Sequence, residues 1–335
     1  MKLNFSQICD ITLGSVYTEE QDGMAVFHRF TKEQEEIYKE TSSDYYKKSL
    51  STSGVKLSFK TDSRNMFLKI DAVSGSSRKY FSVDVFVNGE PIGFIDNFTG
   101  TELPLNYTKI ELPLGEYSKN FDLGEGTKTV TVHLPWSVAA RITEISLDDG
   151  SSLEAVRPQK KLVSYGDSIT HGYDALRPSN RYPAKLAEAL GAEEYNRGIG
   201  GERFFPPIAE PKDNFEPDYI TVAYGTNDWS KVDEATFRAT CRGFYLNLSR
   251  SNPNSKIFAL TPIWRKDLDG ERAFGPFENI VKVIEEEVRD LENVTVINGM
   301  DFVTHDSEYY ADLRLHPNDA GFEQYFRNLN EKIKL

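Results

Sequence analysis

The sequence predicts an α/β protein: a parallel-sheet α/β/α unit preceded by an all-β sandwich of the jelly-roll kind. Three observations carry that expectation. The chain has 335 residues, room for two cores at roughly 150 residues per domain. Between Val55 and Leu147 apolar residues recur with a period of two, whereas after Arg157 compact apolar runs alternate with helix-length segments. The expected division is 1–152 for the sandwich and 153–335 for the α/β unit.

In the first region Val55, Leu57 and Phe59 alternate with polar residues, as do Met66, Leu68 and Ile70, then Phe81, Val83, Val85 and Val87. That is the pattern of half-buried strands. Asn88-Gly89 follows the third run and reads as a hairpin turn, because both central residues of a type I′ turn need positive φ. Val130, Val132 and Leu134, then Ile142, Ile145 and Leu147, continue the series. Short strands separated by Gly, Asn, Asp and Pro, without a long helical period, suggest a sandwich. Its end is expected near Asp149-Gly150-Ser151-Ser152.

Leu162 to Tyr165 then forms a strand-like run ending in Gly166, and Pro183 to Leu190 reads as a helix stopped by Gly191. Ile220 to Tyr224 is a second buried strand, Glu234 to Ser249 a helix, and Lys256 to Thr261 a third strand. Pro276 to Leu291 is amphipathic, Val294 to Ile297 is a short strand, and Asn318 to Ile333 closes the chain as a helix. Strands alternating with helices of this length imply a parallel sheet covered on both faces.

Composition narrows the function. Lys plus Arg number 39 against 52 Asp plus Glu, a formal net charge of -13, so nucleic acid and anionic membrane surfaces are poor partners. A neutral or small partner fits better; oligomeric state is not legible. Hydrophobic residues at 39% and aromatics at 12% are too many for a disordered chain. The first twenty residues hold no apolar stretch of signal-peptide length, and no span approaches the roughly 20 apolar residues of a membrane helix, so a cytoplasmic location is expected. Cys9 and Cys241 form no CxxC, and neither HExxH nor a His and carboxylate set at ligand spacing occurs, so no metal is expected. Gly198, Gly200 and Gly201 do not complete G-x-G-x-x-G, since position 203 is Arg, and no nucleotide cofactor is expected.

In an open parallel sheet, ligands collect outside the carboxyl ends of the strands. Four segments stand there: Gly166-Asp167-Ser168-Ile169-Thr170; Asn196-Arg197-Gly198-Ile199-Gly200-Gly201-Glu202; Gly225-Thr226-Asn227-Asp228; and Leu315-His316-Pro317-Asn318. In that order they resemble the four sequence blocks of the SGNH (GDSL-type) hydrolase and esterase family, over roughly Lys160 to Leu335. The preceding sandwich resembles that of two-domain carbohydrate esterases, and of an acyltransferase-like branch with a jelly roll at the same end.

The resemblance implies a flavodoxin-like α/β/α fold and assigns roles by block. Ser168 matches the nucleophile, although an isolated serine there would equally serve as a helix N-cap. His316 matches the general base; His171, three residues past Ser168, is its rival. Gly201 N–H, Ser168 N–H and the Asn227 side-chain amide match the oxyanion donors, with Gly200 the alternative to Gly201. The third triad member departs from the pattern. The family's Asp stands three residues before the His, but here that position is Leu313 and Asp312 stands four before. Either Asp312 orients His316 across one extra loop residue, or a backbone carbonyl does so in a Ser-His dyad; Asp306 and Asp301 are more distant carboxylates. Arg203, Phe204, Trp229 and Arg265 are candidates for the pocket wall and equally for packing.

The expected activity is hydrolysis of a small O-acyl ester, an O-acetyl group on carbohydrate foremost, through a Ser-His(-Asp) acyl-enzyme. The substrate would be a small molecule or an oligosaccharide ester. An acyltransferase using the same residues, and a carbohydrate-binding protein with an inactive hydrolase domain, are the alternatives.

Overall fold

Residues 1–333 are described in the computed structural model. The chain opens with α1 (Phe5–Ile11), whose N-terminus is closed by reciprocal hydrogen bonds between Asn4 and Gln7. β1 (Thr12–Leu13), β2 (Tyr17–Gln21) and β3 (Met24–His28) follow, then α2 (Lys32–Thr41) and α3 (Ser43–Ser49). The strands β4 (Lys56–Thr61), β5 (Asn65–Ser74), β6 (Ser82–Val87), β7 (Glu90–Asp96), β8 (Gly115–Asp122), β9 (Lys128–His133) and β10 (Val138–Leu147) complete two antiparallel sheets. Their orders are β1-β4-β9-β6-β7 and β2-β3-β10-β5-β8, and β11 (Glu154–Ala155) adds to β4.

The period-two runs are the inner faces of this sandwich. Leu57, Phe59, Leu68, Ile70, Val83, Val85, Val130 and Val132 share one core and are fully buried. Truncating one of them, Leu68→Ala for instance, costs about 2–5 kcal/mol through lost transfer energy and the cavity left behind. Asn88 and Gly89 make the turn between β6 and β7 with φ of 51° and 85°. The three-residue step from Ile142 to Ile145 has a cause as well. The register of β10 on β5 slips between Ile142 and Glu144, and the extra residue of this bulge returns Ile145 to the core side.

The second unit is a parallel sheet of β12 (Lys160–Gly166), β13 (Ala192–Gly198), β14 (Tyr219–Ala223), β15 (Lys256–Leu260) and β16 (Val294–Ile297) in the order β13-β12-β14-β15-β16. The helices are α4 (Ser168–His171), α5 (Tyr182–Ala189), α6 (Thr226–Lys231), α7 (Glu234–Ser251), α8 (Asn279–Val288) and α9 (Asp319–Lys332). β12 pairs with β13 on one side and β14 on the other, so the strand order reverses at β12. A crevice opens at such a point beyond the carboxyl ends, and the segment after β12 faces it.

The first fifty residues do more than begin the sandwich. Phe30 and Tyr38 join the core formed by Tyr165, Phe204 and Phe244 of the α/β unit, while Tyr80, Tyr107 and Trp136 pack with Ile169 and Tyr173 beside α4. Sandwich side chains thus form part of the wall of the crevice. Among the described residues no helix is long and apolar enough to cross a membrane.

Candidate active site

Ser168 is the first residue of α4, and the capping role that a serine could have filled is taken by Asp167, whose Oδ1 accepts from the Ile169 N–H at 2.9 Å. The Ser168 hydroxyl is therefore left for another partner. It lies 2.8 Å from His316 Nε2. His171, the sequence rival, is fully buried and committed elsewhere. Its Nε2 faces the Trp136 carbonyl at 3.0 Å and Ser51 Oγ at 2.8 Å, and its Nδ1 accepts from the Gly200 N–H at 3.3 Å. Burial holds its pKa well below the ordinary imidazole value, so it is a neutral packing residue.

Asp312 reaches His316 despite the four-residue spacing. Its Oδ2 lies 2.9 Å from the ring Nδ1, and its Oδ1 accepts from the N–H groups of Arg314, Leu315 and His316 at 2.9, 2.7 and 3.0 Å. The added residue is absorbed by Leu313, which takes φ of 59°. A left-handed conformation costs an L-residue roughly 1–2 kcal/mol, and the three N–H bonds to one carboxylate offset it. Burial would raise the Asp312 pKa; the His316 ring and these N–H donors hold it well below the usual carboxylate range.

A second carboxylate, not singled out from the sequence, stands on the same ring nitrogen. Asp174 Oδ2 lies 3.2 Å from His316 Nδ1. Asp174 is held from the sandwich side: Arg78 Nε and Nη2 contact its two oxygens at 2.6 and 2.9 Å, and the Tyr80 hydroxyl donates to Oδ1 at 2.8 Å. The Tyr107 hydroxyl donates to its backbone carbonyl. Burial opposes ionisation of Asp174, but Arg78 and His316 hold its pKa at about 2. Burial alone would likewise lower the His316 pKa; Asp174 and Asp312 outweigh it and raise it to about 9.

Asp174, Asp312 and His316 place ligand atoms within 4.8 Å of one another, a donor set that a cation could also use. Proton placement accounts for it without one. For Nε2 to accept from Ser168, the ring proton must sit on Nδ1, where the two carboxylates receive it.

Gly201 has φ of 85°, a region open to glycine at little cost. The loop that carries it is braced from the first fifty residues, with Lys48 Nζ on the Gly200 carbonyl at 2.7 Å and the Tyr45 hydroxyl on the Gly201 carbonyl at 3.2 Å. Since the Gly200 N–H is engaged by His171, Gly201 is the freer donor of the two. Asn227, in the first turn of α6, spends one amide N–H on the Glu202 carbonyl at 3.0 Å and keeps the other. The amide and the glycine loop are thereby tied to each other.

Three buried carboxyls each stand next to one of these groups in sequence: Asp167 next to Ser168, Glu202 next to Gly201, Asp228 next to Asn227. Burial raises their pKa values to about 6, 8 and 7 respectively. Glu202 accepts from the Tyr224 hydroxyl at 2.6 Å, and Asp228 from the Phe204 N–H at 3.1 Å. Burial thus disfavours ionisation of all three, most at Glu202 and least at Asp167, and so weakens negative charge next to the candidate oxyanion donors near neutral pH.

Two of the pocket candidates are core residues. Phe204 packs edge-on against Phe237 and Phe244, and Trp229 is fully buried with its Nε1–H on the Gly275 carbonyl at 2.8 Å. The reason is position: aromatic side chains at these helix-facing points fill the space between sheet and helices. Arg265 is also buried, yet it lines a cavity of about 310 Å³ together with Asn227 and Leu315. Arg203 is half-buried beside the glycine loop.

Residues 164–324 match the GDSL-like lipase/acylhydrolase family. Among solved structures, the chain is similar to a salicylyl-acyltransferase from a tetracycline biosynthetic pathway, at 22% identity and a TM-score of 0.78 over 96% of this chain and 93% of that one. It is similar to a family two carbohydrate esterase from Clostridium thermocellum, described in complex with cellohexaose, at 16% identity and a TM-score of 0.64 over 85% and 93%. An acetyl xylan esterase from Butyrivibrio proteoclasticus matches at 15% identity and a TM-score of 0.63 over 99% and 96%. No curated protein matches the chain in sequence.

Proposed function

With its residues 164–324 belonging to the GDSL-like lipase/acylhydrolase family, we propose that the protein is a serine esterase that removes small O-acyl groups, O-acetyl on carbohydrate foremost. The observation that carries this reading is the continuous contact from Ser168 Oγ to His316 Nε2 at 2.8 Å and from His316 Nδ1 to Asp312 at 2.9 Å.

In the proposed reaction Ser168 Oγ attacks the ester carbonyl as His316 Nε2 takes its proton. The oxyanion is met by the N–H groups of Ser168 and Gly201 and by the Asn227 amide. Collapse expels the alcohol, which takes the proton back from His316, and leaves an acyl-serine. Water, deprotonated by His316, then releases the acid and restores Ser168. The imidazolium formed in each half-reaction is stabilised by Asp312 and Asp174. The carbohydrate part of the reading is supported by fold likeness to carbohydrate esterases, one of them described with cellohexaose.

A second reading replaces water by an acceptor alcohol, making the protein an acyltransferase. What favours it is the likeness to the salicylyl-acyltransferase over 96% of the chain. One experiment addresses both. Purified protein is given p-nitrophenyl acetate with and without an acetylatable sugar, and free acetate and acetyl sugar are measured. Acetate release in water that is lost in Ser168→Ala is the expected result. Acetyl transfer to sugar at the expense of acetate selects the second reading, and no Ser168-dependent turnover of either kind rejects both.

A further inference from the structure

The cavity of about 310 Å³ beside the candidate catalytic residues has an unusual lining. Its lining includes Asn227 and Leu315, the latter immediately before His316. The rest carries four cations, Lys231, Arg265, Arg272 and Arg314, against the single carboxylate of Asp267. Arg265 is fully engaged: Nε and Nη2 contact Asp267 at 2.7 and 2.9 Å, and Nη1 contacts Thr226 and Ser230 at 3.0 Å. Its charge balances Asp267.

The other cations are left over. Arg314 reaches the same Asp267 oxygen at 3.1 Å and Arg272 at 3.6 Å, with side chains 48% and 33% exposed. Lys231 is exposed, with no ion pair among the described residues. Arg272 and Arg265 sit 4.9 and 5.0 Å from the Trp229 ring, which fixes the guanidinium direction in advance of any ligand. Arg314 belongs to the Asp312–His316 turn, so the cationic wall and the general base share one rigid segment. In a chain of net charge -13, a local excess of arginine at a reaction centre is a feature to be explained. Guanidinium groups are suited to bidentate recognition of carboxylates.

We propose that the ester processed at Ser168 carries a free carboxylate, bound in this cavity by Arg272 and Arg314 with Lys231 at its mouth. This rests on the serine esterase reading and adds the substrate class. The carboxylate can belong to the acyl half, as in a dicarboxylic acid half-ester, or to the alcohol half, as in an acetylated uronic acid.

The test compares each acid with its own methyl ester, so that only the charge differs. One arm uses p-nitrophenyl hydrogen glutarate and its methyl ester; the other uses an acetylated methyl glucuronoside and its methyl ester. The expected result is a kcat/KM at least about tenfold higher for the acid in one arm, the arm identifying the half that bears the charge. The advantage should shrink to under about threefold in the Arg272→Gln/Arg314→Gln variant and with added salt. Equal rates for acid and methyl ester in both arms, with p-nitrophenyl acetate still hydrolysed through Ser168, would overturn the proposal and leave the esterase reading standing. If no ester is turned over, the cavity is judged by calorimetric binding of glutarate and methyl glucuronoside to the wild-type protein. Binding of either that the double substitution removes supports it, and no binding of either overturns it.

Discussion

Arg78, a residue of the β-sandwich, grips both oxygens of Asp174, with Nε 2.6 Å from one and Nη2 2.9 Å from the other. Through that carboxylate, 3.2 Å from the His316 ring, the sandwich is tied to the imidazole proposed as the general base. In the proposed mechanism the sandwich therefore contributes to the electrostatics of the site as well as to its wall.

Two carboxylates on one imidazole nitrogen should share the orienting work. Asp312→Asn alone is expected to lower kcat by roughly 10- to 100-fold, and Asp174→Asn by a similar factor, because each leaves the other in place. The double variant should approach the roughly 10,000-fold loss seen when a serine protease loses its only such carboxylate. Steady-state kinetics on the three variants checks this. A 10,000-fold loss from Asp312→Asn alone would assign the whole function to Asp312.

The same carboxylates set the pH dependence. Both favour the imidazolium, so His316, raised to about 9, must lose a proton before it can accept one from Ser168. Activity should thus rise with pH, with the acid-side inflection of kcat/KM above the ordinary histidine value of about 6.5. Removing either carboxylate lowers the His316 pKa, and the inflection should move to lower pH. An inflection that stays fixed in both Asn variants would mean that another group controls it.

Asn227→Ala should reduce kcat by roughly 100- to 1,000-fold with a smaller change in KM, since the amide is expected to serve the oxyanion more than the ground-state carbonyl. An effect confined to KM would make Asn227 a substrate-positioning residue.

Glu202 offers a test by stability. Its folded pKa is raised by burial from 4.5 to about 8, so between those values the folded state holds a proton that the unfolded state has released. Stability then falls as pH rises through this window. Glu202→Gln keeps an acceptor for the Tyr224 hydroxyl and has no proton to lose. Its Tm should gain on the wild type progressively from about pH 5 to about pH 9, as read by calorimetry. A Tm difference independent of pH would show that Glu202 is not held neutral.

Much of this was legible in the sequence where a periodic pattern or a strand-end motif carried it. The inner faces of the sandwich, from Leu57 to Leu147, and β12, β14, β15 and β16 with the longer helices after Lys160 follow their hydrophobic patterns, whereas β13 does not: it buries Glu193, Glu194, Asn196 and Arg197 and so carries no apolar run. Asp312 was legible as the nearest carboxylate before His316, but the mechanism that lets it reach was not: a left-handed leucine is the opposite of what turn statistics suggest. The first fifty residues were opaque for a different reason. α2 buries Gln34 and Glu35 as well as Tyr38, so no apolar stripe marks it, and β2 is too exposed to alternate. Asp174 was missed because nothing local distinguishes it. Its role comes from Arg78, Tyr80 and His316, which only the folded chain brings together. Phe204 and Trp229 show the converse, since an aromatic next to a catalytic motif has the same sequence signature on a pocket wall as in a core.

In the proposed mechanism Ser168 becomes covalently acylated. Protein mixed rapidly with p-nitrophenyl acetate, quenched in acid and digested, should yield an acetyl adduct on the peptide bearing Ser168 by mass spectrometry. The adduct should accumulate in the double Asp174→Asn/Asp312→Asn variant if deacylation is slowed more than acylation, and it should be absent from Ser168→Ala. Ester turnover with no adduct at Ser168, together with wild-type turnover in Ser168→Ala, would contradict the account.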